Sequence, residues 1–330
     1  MEERMTVLVT GCAGFVGWRT TQFLLRAGHP VIGIDNLNAY YPVPLKRWRL
    51  AQLAGEGDFQ FFEGELGDSV LLEDIFATHK PRAVINLAAR AGVRPSIEEP
   101  ALYVETNAVA LVHLMQTMVR HGCGKLVQAS TSSLYAGQPA PFREDQPVDQ
   151  PLSPYAASKK AAEVLAYTYH HLHGLDVSVL RYFTVYGPAG RPDMSPLKFT
   201  HRIANRKPFP LYGDGSQSRD FTYVDDIARG TIAALRPLGY EVINLGGGRE
   251  PVTIREMITV LEERLGERAR IESHPWNPAD MRDTAADIRK AERLLDWRPQ
   301  TPVREGLERL ADWYRAEAGW LAPLLETVKD

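Results

Sequence analysis

The sequence predicts an α/β fold: a doubly wound parallel sheet of Rossmann type in its N-terminal half and a smaller C-terminal α/β lobe. Three observations predict it. Short β-rich runs alternate with amphipathic stretches, and alternation at that spacing builds a parallel sheet with helices on both faces. Residues 7–17 read as a strand entering a G-x-x-G-x-x-G turn and then a helix. Past Arg181 the alternation breaks up, and Pro and Gly punctuate residues 187–215.

The predicted strands are 6–10, 30–35, 59–64, 83–87, 125–129 and 177–181, and the helical patterns between them are 14–27, 69–79, 101–122 and 154–173. Val84-Ile85-Asn86-Leu87 lacks in–out alternation, which marks a central strand buried on both faces. A further helix starts near Asp225-Asp226. The capping box Thr253–Glu256 opens another that ends near Gly266. The expected division is a dinucleotide-binding domain over 1–182, also receiving the segment near 220–245, and a substrate lobe over 183–330.

At 330 residues and a net charge of −3, the chain can bury a real core and offers no electrostatic case for nucleic acid. The basic cluster Lys46-Arg47-Trp48-Arg49 reads as a solvated helix face. Cys12 lies in the Gly-rich turn and Cys123 between Gly122 and Gly124. That placement argues against a disulfide and fits a reducing compartment. No stretch approaches the roughly 20 apolar residues of a membrane span, so a cytoplasmic protein without a membrane partner is expected. No metal site is expected.

The glycines of the first turn allow a tight bend and close approach of backbone to a pyrophosphate, which then sits at the positive end of the following helix. Asp35 ends the second strand, about 20 residues further on, where a carboxylate accepts from the adenosine ribose diol and repels a 2′-phosphate. NAD rather than NADP is the expected cofactor.

Ser153-Pro154 reads as a helix start, which puts Tyr155 and Lys159 at i and i+4 on one face. A free phenol, with a pKa of roughly 10, is a poor base at neutral pH. A neighbouring ammonium and a cationic nicotinamide favour the phenolate and bring it towards proton-transfer duty. The hydroxyl run Ser130-Thr131-Ser132-Ser133 closes a predicted strand, at the sheet edge where such folds bind ligands.

Together the Gly11-x-x-Gly14-x-x-Gly17 turn, the Thr131 region and Tyr155-x-x-x-Lys159 resemble the extended short-chain dehydrogenase/reductase family, in particular its nucleotide-sugar epimerases and dehydratases. The likeness continues through residues 219–226 to the tail 287–299. It is most similar to UDP-glucuronate 4-epimerases in the segments 33–41, Leu45-Lys46, Ala91-Gly-Val-Arg94 and, above all, residues 181–194, where Thr184 accompanies Gly-Arg191-Pro-Asp-Met. The resemblance implies C4 epimerisation of a UDP-hexuronate through a 4-keto sugar, with protein-held NAD, Tyr155 as base, Lys159 and Thr131 assisting, and a homodimer.

By the same resemblance the cofactor would be bordered by Gly11, Ala13, Gly14, Phe15, Val16 and Gly17, then by Asp35, Asn36, Asn38 and Lys46. Glu65, Leu66, Leu87, Ala88, Ala89, Asn107, Tyr182 and Val185 would complete that border. The diphosphate would fall to Arg219 and the UDP moiety to Arg94, Leu211, Tyr212 and Asp280. A 4-keto hexuronate is a β-keto acid prone to lose CO₂. Ser132, Ser133, Thr184 and Arg191 are therefore expected to pin its carboxylate away from the geometry that permits loss.

Departures from the pattern are Arg90 where Gln is usual, Ala136 after Tyr135, Glu65 for Asp, and Ala279 before Asp280. A 4-epimerase of a neutral UDP-hexose and a UDP-glucuronate decarboxylase remain open as alternatives. So, in another class, does a non-catalytic NAD-binding sensor or scaffold. A 4,6-dehydratase wants an Asp-Glu pair where Ser132-Ser133 stand.

Overall fold

The computed structural model describes residues 4–248, 251–276 and 281–328. Seven parallel strands form its central sheet: β1 (Val7–Thr10), β2 (Val31–Asp35), β3 (Phe59–Glu63), β4 (Ala83–Asn86), β5 (Lys125–Thr131), β6 (Asp176–Tyr182) and β7 (Tyr240–Leu245), in the spatial order β3-β2-β1-β4-β5-β6-β7. β1, β2, β4 and β5 are buried along their whole length. Two apolar cores cover the sheet, one around Val9, Leu24 and Trp18, the other around Leu8, Leu114 and Phe76. Val7 pairs with Val31 of β2 on one side and Ala83 of β4 on the other. The order reverses there, so the crevice for a ligand opens beyond the C-terminal end of β1.

All six predicted strands form. β5 runs on to Thr131, which makes Ser130 and Thr131 strand residues paired with Arg181 and Tyr182. β7 joins the far edge, parallel to β6, after the chain has left the sheet for residues 183–239.

The predicted helices over 69–79 and 154–173 are Ser69–His79 and Pro154–His173. Asp68 accepts from the amides of Val70 and Leu71, and Ser153 from Ala156 N at 3.2 Å. The predicted helix over 101–122 is instead three pieces, Pro100–Val104, a π turn Glu105–Val109 and Ala110–Arg120. Within the π turn, the buried Asn107 side chain accepts from Arg90 N at 2.8 Å and donates to Arg90 O at 3.0 Å and Ser158 Oγ at 2.9 Å. A π turn admits one more residue than an α turn, and here it aims Asn107 inward.

The basic cluster is corrected too. Its helix, Val43–Ala51, leaves Arg47 at the surface, but Lys46 is 4% and Arg49 0% exposed. Periodicity alone could not separate a solvated cation from one folded under a loop.

In the C-terminal lobe, helices Ser195–Ala204, Ile254–Leu265 and Val303–Leu325 pack round Phe199, Phe209, Met257 and Leu307. The capping box of Thr253 and Glu256 is present, and left-handed Gly266 ends that helix. Trp48 meets Trp18, Trp313 and Trp320 at 5.8, 5.7 and 5.9 Å, tying the last helix back to Val43–Ala51. Cys12 and Cys123 are free and buried. Among the described residues no helix is long and apolar enough to cross a membrane, and no cluster could hold a metal ion.

Candidate active site

The Gly-rich turn follows β1 directly. Gly11 has φ +69°, and a Cβ there would lie 2.8 Å from Ala88 N; a Cβ at Gly17 would lie 2.0 Å from Gly11 O. Gly14 caps the helix Phe15–Arg26 without a side-chain bond, and its first turn has no acid. Those outward amides suit a pyrophosphate dianion.

Asp35 accepts from Ala13 N at 3.1 Å and Leu37 N at 2.9 Å. Each carboxylate oxygen keeps a lone pair for a ribose diol. Asn36 donates to Glu65 at 2.8 Å, and Asn38 bonds back to Asn36. Leu87 N and Ala88 N bond to Thr10, and Ala89 follows half-buried. Burial lowers the pKa of Lys46, while Asp35 nearby opposes the shift. Leu66 is buried in one core, and Val16 and Val185 pack on the other. The Tyr182 hydroxyl bonds Thr231 Oγ1 at 2.8 Å, and its ring packs against the core beside Val185. The turn, the acid and the close backbone approach fit a dinucleotide.

Tyr155 stands in the first turn of Pro154–His173, half-buried, with Tyr103 edge-on at 6.2 Å and the Thr131 hydroxyl bonded to its oxygen. Burial pushes the phenol up; the Thr131 bond and the Arg191 charge pull it down less strongly. The depression expected from Lys159 is therefore not realised in the protein alone. Burial instead pulls the Lys159 amine down to about 8, with Glu163 opposing. Desolvation outweighs attraction for both groups.

Glu163, one turn beyond Lys159, stays ionised: burial raises its pKa, but the Arg181 and Ser130 bonds lower it by more. It accepts from Ser130 Oγ at 2.7 Å and from Arg181 at 2.9 and 2.8 Å. Arg181 also donates to Tyr135, which donates to Asn244 on β7.

Ser132 and Ser133 open a short 3₁₀ turn after β5, with Ser133 N donating to Thr131 Oγ1 at 3.1 Å. Thr184 starts the short strand after β6, its amide bonded to Asp220 O. Arg191 makes a two-point contact with Asp193, which also accepts from Tyr40 at 3.3 Å. Burial and then the Arg191 charge act in opposite senses on Asp193, and the arginine wins, holding its pKa below the usual carboxylate range.

Towards the C-terminal lobe, the Arg94 guanidinium lies 5.0 Å from the Tyr212 ring centre. Arg219 donates to Ser218 O and Arg282 O. The Leu211 side chain packs into the lobe core rather than facing outward, leaving Tyr212 half-exposed. Asp280 lies outside the described residues. Sequence reasoning missed Tyr103, Asp193 as the partner of Arg191, Glu163 and Arg49. Only Glu163, i+4 from Lys159 on one helix face, left a readable signal.

The sequence model of the GDP-mannose 4,6 dehydratase family matches residues 8–310. A UDP-glucuronate 4-epimerase of Thermodesulfobacterium geofontis is 55% identical over 306 residues, 93% of this chain and 95% of that one. UDP-glucuronate 4-epimerase 3 of Arabidopsis thaliana is 40% identical over 94% of this chain and 76% of its own length. The crystal structure of UDP-glucuronic acid 4-epimerase from Bacillus cereus, with UDP-glucuronic acid and NAD, superposes with a TM-score of 0.88 at 36% identity, covering 94% of this chain and 99% of that one. With the seven-stranded parallel sheet, the Gly-rich turn at its switch point and a tyrosine and lysine one helical turn apart, the chain belongs to the NAD-dependent nucleotide-sugar epimerase/dehydratase family.

Proposed function

We propose that the protein interconverts UDP-glucuronate and UDP-galacturonate by inverting C4 through a transient 4-keto sugar, with NAD held on the protein. The observation that carries this reading is 55% identity, over 93% of the chain, to a UDP-glucuronate 4-epimerase, together with an arginine, Arg191, that lies on the loop after the Thr184 strand and is held there by Asp193. That cation is placed to meet a sugar carboxylate. In a hexuronate, C4 and the carboxylate carbon are separated by C5 alone, so a sugar presenting C4 to Tyr155 brings its carboxylate towards that cation. Similarity to the Thermodesulfobacterium and Bacillus cereus epimerases supports the same reaction.

When bound, NAD⁺ supplies a reversible hydride acceptor for C4. The amides of the Gly-rich turn would hold its pyrophosphate and Asp35 its adenosine ribose. Tyr155 takes the C4 hydroxyl proton and returns it after the keto sugar has turned over. The Thr131 hydroxyl steadies the phenolate by donating to it, and Lys159, one helical turn on, supplies a positive charge on the same helix face. Ser132, Ser133, Thr184 and Arg191 hold the sugar carboxylate charged and hydrogen-bonded. That restraint keeps its bond to C5 out of alignment with the carbonyl and suppresses loss of CO₂. Asp193 keeps the Arg191 fork occupied until a carboxylate competes for it.

Arg94, Tyr212 and Arg219 take the uridine diphosphate. The first 182 residues with β7 serve the dinucleotide, and most of 183–330 serves the sugar nucleotide. Free Cys12 and Cys123 are in keeping with a reducing cytosol.

NMR of products from UDP-glucuronate and UDP-glucose tests the assignment. UDP-galacturonate is expected from the first; a UDP-pentose, or turnover of UDP-glucose alone, would overturn it. Arg191→Ala should raise KM for the uronate far more than for UDP-glucose, and equal effects would remove Arg191 from carboxylate recognition.

A further inference from the structure

Arg49 is fully buried, yet none of the described ion pairs includes it, and its partners are all uncharged. A guanidinium has five N–H donors in a rigid fork, and here every one is used. Nε and one Nη2 hydrogen reach Ala189 O at 3.1 and 2.8 Å, and the other Nη2 hydrogen reaches Gly190 O at 3.1 Å. The Nη1 pair reaches Ala13 O at 3.0 Å and Tyr41 Oη at 2.6 Å. Ala13 lies in the Gly-rich turn; Ala189 and Gly190 immediately precede Arg191. Ala189 sits at φ +55°, a conformation that residues with a Cβ seldom adopt, and two of the five donors hold its carbonyl. Phe15 closes the contact, with Arg49 Cζ 5.9 Å from its ring centre.

One rigid group thus joins the loop that receives the dinucleotide to the loop that carries the carboxylate-facing arginine. We propose that Arg49 is a positioning residue that couples dinucleotide occupancy to the placement of Arg191. Among the described residues no carboxylate bonds it directly, and an anion on the Gly-rich turn tightens the turn against Ala13, whose carbonyl Arg49 holds. The same fork carries that tightening to Ala189 and Gly190, and so to Arg191. By linkage the effect runs both ways: a sugar nucleotide whose carboxylate engages Arg191 strengthens the hold on the dinucleotide. This inference rests on the proposed uronate site.

The test uses holoprotein and reads NAD escape by exchange with labelled NAD, with and without UDP-glucuronate, and with UDP as a ligand lacking the carboxylate. In the wild-type protein UDP-glucuronate should slow escape about tenfold or more relative to UDP, within the usual range of coupling between sites. In Arg49→Lys, which keeps the charge but cannot fork, that ratio should fall towards one. If Arg49→Lys does not fold, Tyr41→Phe, which removes the acceptor of one of the five donors, should lower the ratio part-way. An undiminished ratio in whichever variant is folded overturns the coupling role. An absent ratio in the wild type overturns it as well, and product NMR with UDP-glucuronate then shows separately whether the uronate reading has failed.

Discussion

At Lys159 burial and the proposed catalytic role pull against each other. Its folded pKa is about 8 and its unfolded value about 10.4. Below pH 8 the amine is charged in both states, so the folded protein bears the full desolvation cost. Between pH 8 and 10.4 the unfolded chain binds more protons, and stability from this group rises with pH. Lys159→Met should therefore raise the unfolding free energy of dinucleotide-free protein at pH 7 by on the order of 1–3 kcal/mol. The gain should shrink to nothing above pH 10.4 as urea melts are repeated upward in pH, while turnover is lost at every pH. No gain at pH 7 would mean the amine is better solvated than its burial implies. The pair was legible in the sequence because i and i+4 share a helix face whatever surrounds them. The sign of the Tyr155 shift was not, because desolvation is set by residues distant in sequence such as Tyr103.

Among the elements, the interrupted helix over residues 100–120 carries the most information. A straight α-helix would leave Asn107 unable to serve Arg90 and Ser158 together, so the π turn joins the loop after β4 to the tyrosine-bearing helix. Asn107→Ala should leave the Arg90 amide and carbonyl and the Ser158 hydroxyl short of partners. The expected cost is on the order of 2–3 kcal/mol in denaturant unfolding; a cost below half a kcal/mol would show that water replaces the amide. Sequence periodicity predicted a single helix here, since one inserted residue barely disturbs an apolar pattern. Strands fared better because most of their runs are buried on both faces and all are bounded by turn residues. The Arg49 helix misled for the opposite reason: its four-residue cluster is ordinary, and only the fold of residues 187–191 over it decides what is wet.

Across the whole molecule, an apolar surface remains on the two neighbouring helices. Val164, Tyr167 and Leu172 are 51, 51 and 70% exposed on Pro154–His173, and Val104 and Val109 are both 46% exposed beside them. Their spacing makes a stripe rather than scattered contacts. A homodimer through this stripe is expected, and sedimentation of the protein should give twice the chain mass. Val164→Glu with Tyr167→Glu should give monomer, and a monomeric wild type would end the expectation.

β7 closes the sheet only after residues 183–239 have been made. During synthesis, therefore, β6 waits with one side of its backbone unmatched until Tyr240–Leu245 clears the ribosome. A nascent chain halted just beyond Tyr182 offers neighbouring polysomes a bare parallel edge. Chaperone demand should peak over that interval, not at the amino terminus or the finished tail.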